Sequence, residues 1–319
     1  MRSVVTHASV GMLPNFLLIG AMKAGTTSLY HYLRAHPQIY MSPVKEPEFF
    51  AEESNWRRGL DWYRKQFASA GPDTVAIGEA STVYTKYPRY RGVPQRIVAL
   101  IPQARLIYVI RDPIERIRSH YQHKVAQGSE RAPLEKAVFE NPIYVDCSRY
   151  ALQIEQYLEY FPLEQLLVIT LEDLRDARLA TIRSVYQHLG VDVDFVPSDL
   201  GREFYRTNDR PARSLVPLWL RGSLKKHFPI SKRAAEVEAN ILRIFNRLKA
   251  RTEPVSWHTK SFTIPEAVRG RLISLLADDV WRLRGYMGPH FDGWSIGEEG
   301  RAHRVQVKDR GGKIYSGST

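Results

Sequence analysis

Two kinds of apolar pattern alternate along the chain. Phe16-Leu-Leu-Ile19, residues 75–78, residues 105–110 and residues 165–170 are short continuous apolar blocks. Such blocks predict strands buried on both faces. Between them, apolar positions recur at helical spacing. Residues 27–35 predict a helix that stops at His36-Pro37, because the residue before a proline is pushed out of the helical region. Residues 56–67 predict a second helix, with Leu60, Tyr63 and Phe67 on one face, and residues 93–101 a short third. Pro113, at a first helical position, opens a helix to about Gln127. Residues 149–161 and 174–189 complete the helical set, the latter closed by Gly190. Residues 38–41 read as extended, and residues 42–50, broken by two prolines, as a loop.

This alternation of strand and helix predicts an α/β fold: a central, mostly parallel sheet with helices on both faces, in three layers. In such sheets ligands bind beyond the carboxyl ends of the strands. The glycine loop after the first strand, Glu79 and Arg111 all fall at such ends, which places them in one site without reference to any family.

Beyond Val196 the pattern loosens. Residues 199–213 are polar and basic, residues 231–248 predict a basic amphipathic helix, and residues 252–265 a loop holding Trp257, His258 and Lys260. Residues 265–283 predict a last long helix. The expected organisation is a lead-in over residues 1–14, a single domain over 15–296 and a polar, Gly-rich tail over 297–319. Within the domain, residues 15–190 form the ligand-binding core and 191–296 a helical part facing the acceptor.

Composition narrows this picture only in places. Of 319 residues 44% are hydrophobic, enough for a sizeable core and too many for wholesale disorder. The net charge of +12 favours an anionic partner or simply a solvated basic surface. It does not choose among nucleic acid, a phosphorylated cofactor, an acidic glycan and a membrane surface. The single cysteine, Cys147, excludes an intrachain disulfide and a cysteine-based metal site. No secretory leader and no apolar run of about 18 residues is visible, so a soluble cytoplasmic chain without a transmembrane span is expected. Peripheral membrane contact through the basic helix stays open.

The chemistry concentrates first in Gly20-Ala-Met-Lys23-Ala24-Gly25-Thr26-Thr27-Ser28. A strand, a glycine loop and a helix N-terminus turn backbone N–H groups and hydroxyls toward an anion. The glycine spacing is that of a nucleotide P-loop, but Thr26 stands where the lysine should be and Lys23 lies inside the loop. The second concentration is Arg111 with Ser119, eight residues on along the next helix. An arginine fork and a hydroxyl at a strand end suit a second phosphate. Equally, Arg111 could pair with Asp112 or another nearby carboxylate. Two anion sites suggest a ligand phosphorylated at both ends.

These motifs resemble those of sulfotransferases that use 3′-phosphoadenosine 5′-phosphosulfate (PAPS). The run from Ala21 to Leu29 is similar to that family's 5′-phosphosulfate loop, and Arg111-Asp-Pro-Ile-Glu-Arg-Ile-Arg-Ser119 to its 3′-phosphate motif. Lys45-Glu46-Pro47-Glu48-Phe49-Phe50 resembles a loop of the heparan-sulfate-type branch, and the likeness spans residues 15–190. The resemblance implies PAPS as donor, bound by Lys23, Ala24, Gly25, Thr26, Thr27, Ser28, Arg111 and Ser119. It implies adenosine 3′,5′-bisphosphate (PAP) as product and no obligatory metal. Lys23 would then serve the leaving side and Glu46 the acceptor hydroxyl as general base.

For the base, Glu79, His120 and His123 are alternates, and Glu46 could instead be solvated or paired with Lys45. The branch's lysine after the strand-end glutamate is Ala80 here, and neither its disulfide nor its C-terminal lysine–glycine–arginine loop is visible. A third phosphate contact falls to Arg210, Arg213 or Lys260. The implied acceptor is a hydroxylated glycan, glycolipid or small metabolite. A magnesium-dependent P-loop kinase of small molecules is the competing enzyme class. A nucleic-acid-binding module has no supporting motif.

Overall fold

The computed structural model describes residues 12–201 and 262–297, together with two short strands in the tail. The predicted helix over 231–248 and the candidates Arg210, Arg213 and Lys260 lie outside the described residues.

The chain opens with β1 (Phe16–Gly20), every residue of which is buried. The helix α1 (Thr26–Ala35) follows, started by Gly25 in the left-handed conformation. Then come β2 (Ile39–Met41), the short helix α2 (Leu60–Arg64), β3 (Ala76–Ala80) and α3 (Val93–Leu100). β4 (Arg105–Ile110) leads into α4 (Pro113–Ala126). Asp112 fixes that junction: its carboxylate accepts from the N–H groups of Ile114 at 2.8 Å and Glu115 at 3.0 Å, while Pro113 needs no partner. Helices α5 (Leu134–Glu140), α6 (Ile143–Asp146) and α7 (Tyr150–Leu158) precede β5 (Leu166–Thr170). Helices α8 (Leu171–Asp176), α9 (Arg178–Leu189) and α10 (Glu266–Met287) complete the set among the described residues.

The five strands form one parallel sheet in the order β2-β3-β1-β4-β5. The expected α/β architecture is therefore the observed one, with β1 central. Continuous burial along β1, β3 and, after Arg105, β4 explains why these strands carry apolar blocks rather than alternation. A second apolar cluster joins α4, α5 and α6 to α10 through Ile117, Val138, Tyr144, Leu272 and Leu276. The last helix is also docked by a polar contact, since Asp279 accepts from the N–H groups of Ala151 at 3.0 Å and Leu152 at 2.9 Å. It thereby supplies acceptors to N–H groups in the first turn of α7, which have none within the helix.

Several predicted elements differ in detail. The helix expected over 56–67 is broken into a 3-10 turn over Trp56–Arg58, α2, and a second 3-10 turn over Lys65–Phe67. Gly59, at φ 80° and ψ 164°, interrupts the ladder. The helix expected over 174–189 is two helices, α8 and α9, with Ala177 in a non-helical conformation between them. The first starts early because the Thr170 hydroxyl accepts from the Asp173 N–H at 2.9 Å. The strand expected over 75–78 runs from Ala76 to Ala80, so Glu79 lies within it rather than after it. In the tail, Val307–Lys308 (β6) pairs antiparallel with Ile314–Tyr315 (β7), where no regular element is expected.

Strands β3 and β1 approach closely at Gly78. A Cβ there would stand 2.3 Å from the Phe16 ring on β1. Gly78→Val is therefore expected to cost ~3 kcal/mol, the upper range for overpacking a core. A lowered urea midpoint checks this, and an unchanged midpoint would mean that the Phe16 ring moves aside freely.

Candidate active site

The loop between β1 and α1 is shaped by its glycines. A Cβ on Gly20 would stand 2.0 Å from Thr85 Oγ1, and one on Gly25, at φ 90°, would stand 2.6 Å from Leu171 Cδ1. Backbone therefore passes where no side chain fits. Gly25 offers α1 no side-chain cap. The first N–H groups of that helix consequently point out of its end, carrying the positive pole of the helix dipole. Thr26 is buried, whereas Thr27 and Ser28 are half-buried on the same turn. The strand, glycine loop and uncapped helix start expected from the sequence are therefore present.

Lys23 sits in the loop at φ 71°, a left-handed conformation that costs a non-glycine residue about 1 kcal/mol or more. The loop is held from the neighbouring strand. Arg111, just beyond β4, donates from Nη1 to the Lys23 carbonyl at 3.3 Å, and Arg116 Nη1 lies 3.5 Å from the Met22 carbonyl. The two predicted anion sites are therefore joined through backbone, which sequence spacing does not reveal.

Arg111 also meets a carboxylate. Its Nη2 is 3.4 Å from Glu115 Oε2, and Arg118 Nη2 reaches the same oxygen at 2.5 Å. The nearby carboxylate expected from the sequence is thus Glu115, one helical turn on, rather than Asp112. Burial lowers the Arg111 pKa, partly offset by Glu115. Ser119 is buried on α4 two turns beyond the strand end. Arg116 is fully buried, donating to Ser148 Oγ and the Tyr144 carbonyl, both at 2.5 Å.

The loop over residues 42–50 crosses the ends of β3 and β2. Its start is tied by the Ser42 N–H to the Gly78 carbonyl at 2.8 Å, and the Glu46 N–H donates to the Ala80 carbonyl at 2.9 Å. Glu46, at φ 66°, is a second left-handed non-glycine residue. Its Oε1 accepts from Lys45 Nζ at 2.9 Å and its Oε2 from Thr82 Oγ1 at 3.2 Å. The pairing with Lys45 foreseen from the sequence does form. Both side chains remain partly exposed, at 25% and 33%, so the pair contributes little to stability and leaves the carboxylate reachable.

The alternates for the base occupy different surroundings. Glu79 is fully buried and accepts from Tyr84 at 2.6 Å, Ser81 at 2.7 Å and Tyr63 at 3.2 Å. Burial pushes its carboxyl up to about 7, opposed by these hydroxyls and reinforced by Glu46. His120 is buried against the Tyr144 ring, with Arg116 3.4 Å from its Nδ1. Burial and the Arg116 charge drive its pKa down to about 2, so the imidazole stays neutral and takes up protons poorly. His123 is half-buried one turn further along α4.

Sequence reasoning missed Thr82, Arg116, Ser81 and Tyr84. Arg116 had a signal, because a cation at a core-facing position of α4 is unusual. The hydroxyls had none, since their partners lie on other segments.

The parallel sheet, with a glycine loop between β1 and α1 and an arginine just after β4, has the P-loop-like architecture. The family model for the sulfotransferase domain matches residues 13–209, and the chain belongs to that family. Over 199 residues it is 34% identical to human bifunctional heparan sulfate N-deacetylase/N-sulfotransferase 3, covering 56% of this chain and 22% of the relative. Mouse heparan sulfate glucosamine 3-O-sulfotransferase 5 is 28% identical over 203 residues, 60% of this chain and 57% of the relative. The chain thus spans about a fifth of the human relative's length. Among solved structures, a sulfotransferase from Alicyclobacillus acidocaldarius has a TM-score of 0.64 at 25% identity, over 89% of this chain and 99% of that one. The kinase reading is not favoured. Among the described residues, no helix is long and apolar enough to cross a membrane.

Proposed function

We propose that this chain moves a sulfuryl group from PAPS to a hydroxyl of a carbohydrate, glycolipid or small-molecule acceptor. The observation that carries the reading is that Arg111 holds the backbone of Lys23, which joins the two candidate anion sites. A donor phosphorylated at both ends needs two such sites at a fixed distance. The residues present suit it: a cradle closed to side chains at Gly25, helix-end N–H groups, and the hydroxyls of Thr26, Thr27 and Ser28. Arg111 and Ser119 would hold the 3′-phosphate, with Ala24 and Gly25 lending backbone to the loop.

PAPS supplies the sulfuryl group and, in PAP, the leaving group. Glu46 takes the proton of the acceptor hydroxyl as that oxygen forms its bond to sulfur. Lys23 places positive charge on the leaving side, where negative charge grows. These fixed donors neutralise the charge without requiring a metal. The names of the relatives, which concern heparan sulfate, support a glycan as the first acceptor to try.

Thermal-shift titration tests the donor. PAP is expected to raise Tm progressively, as binding adds about 2.7 kcal/mol of stability at a hundredfold excess over Kd, while ATP with magnesium gives a much smaller shift. No shift with PAP would sink the reading. PAP released from PAPS, measured with a desulfated heparan oligosaccharide, a glycolipid and a simple phenol, then ranks the acceptors.

A further inference from the structure

The loop that presents Glu46 is held by two hydroxyls, and both answer to one carboxylate. Ser81 Oγ accepts from the Glu48 N–H at 2.9 Å and donates to Glu79 Oε2 at 2.7 Å. Tyr84 OH accepts from the Phe50 N–H at 3.3 Å and donates to Glu79 Oε1 at 2.6 Å. The third donor to Glu79, Tyr63, stacks its ring on Phe49 at 4.1 Å and 8°. Three successive pieces of the loop, residues 48, 49 and 50, thus rest on groups anchored to Glu79.

A hydroxyl has one proton and two lone pairs. An ionised carboxylate only accepts. Facing three hydroxyls, it draws all three protons inward and turns the lone pairs of Ser81 and Tyr84 toward the loop. The fully buried Glu79 cannot meet an acceptor hydroxyl directly. We propose that Glu79 is a positioning residue, which aligns Ser81 and Tyr84 so that they clamp the backbone of the loop presenting Glu46. The inference rests on the reading of Glu46 as the base.

The titratable groups facing Glu79 are Tyr63 of α2, Tyr84 of the 3-10 turn after β3, Tyr157 of α7 and Glu46 of the loop. Burial raises the three tyrosines well above their usual range, so they remain donors. Protonated Glu79 would itself be a donor, and one of the three hydroxyls would have to turn away. The clamp is complete above neutral pH and loosens on acidification. Stability runs the other way. A carboxyl raised from 4.5 to about 7 on folding favours the folded state most below 4.5 and loses that contribution as pH rises through about 7. Opposite pH trends separate positioning from simple support of the fold.

Amide hydrogen exchange on the whole chain tests this without an acceptor. Glu79→Met removes every acceptor and is expected to speed exchange at both Glu48 and Phe50 on the order of 10- to 100-fold, relative to β1 and β4. Glu79→Gln keeps one oxygen for two hydroxyls and is expected to release only one of the two amides. Should Glu79→Met fail to fold, Ser81→Ala and Tyr84→Phe test each clamp singly, at Glu48 and Phe50 respectively. In the natural chain, the same two amides, corrected for intrinsic pH dependence, should exchange faster below neutral pH than above it. Unchanged exchange at both amides, or a uniform rise across the sheet, overturns the proposal. If Glu46→Gln keeps turnover, the underlying reading fails instead, whatever the exchange shows.

Discussion

Glu46→Gln is expected to lower turnover about 10²–10⁴-fold, the range for removing a general base, while the Tm rise with PAP stays intact. The substitution keeps the length of the side chain and an acceptor for Thr82 or Lys45. It removes only the capacity to take a proton. Because the Lys45 pair is partly exposed, its loss is expected to move stability by well under 1 kcal/mol, so the folded fraction stays the same. Steady-state PAP release checks turnover, and the thermal shift checks donor binding. Near-normal turnover would pass the role to His123 or a water-relayed group, since Glu79 is buried and His120 is a weak base.

Removing the loop lysine is expected to have the second-largest effect. Lys23→Ala should reduce turnover about 10²–10³-fold, the scale for deleting one stabilising donor at a developing charge. Some loss of PAP affinity should accompany it, which distinguishes it from Glu46→Gln. The backbone supplies a control. Lys23 is left-handed at φ 71°, a conformation glycine adopts without strain. Lys23→Gly removes the charge and relaxes the loop, so it should be more stable than Lys23→Ala yet equally slow. Activity restored in Lys23→Gly would show that loop geometry, not the ammonium group, is what matters.

Two of the five left-handed non-glycine positions among the described residues are informative together. Lys23 and Glu46 are both non-glycine residues in the left-handed region. Each is held there by a contact from another segment, Lys23 by Arg111 and Glu46 by its N–H to Ala80. Left-handed backbone turns the side chain away from where helix or strand would send it. The two side chains assigned to the chemistry are therefore aimed by tertiary hydrogen bonds, and relaxing either contact should cost turnover before it costs stability.

Much of the core was legible in sequence because it is written in contiguous residues. The blocks at 16–20 and 105–110 are strands, Pro113 opens α4, and Gly190, at φ 71°, closes α9. The glycine loop was legible for the same reason, since its spacing and its hydroxyls follow one another directly. Where reading failed, a single residue overrode periodicity. Gly59 broke the helix expected over 56–67 although Leu60, Tyr63 and Phe67 keep helical spacing. Thr170 started α8 early by capping it.

The sequence by itself determined the succession of strands and helices, and with it the parallel sheet and the glycine loop after its first strand. Periodicity, proline, glycine and caps act over a few residues, so these features needed nothing from afar. The tertiary structure decided the strand order, the link from Arg111 to the loop carbonyl, and the different surroundings of two glutamates. Glu46 and Glu79 are chemically equivalent in sequence. One ends on a reachable loop and the other beneath it, because closing the sheet removes water from β3 and brings Tyr63 and Tyr84 against the buried carboxylate. Desolvation and hydrogen bonding between distant segments exist only once the chain is packed.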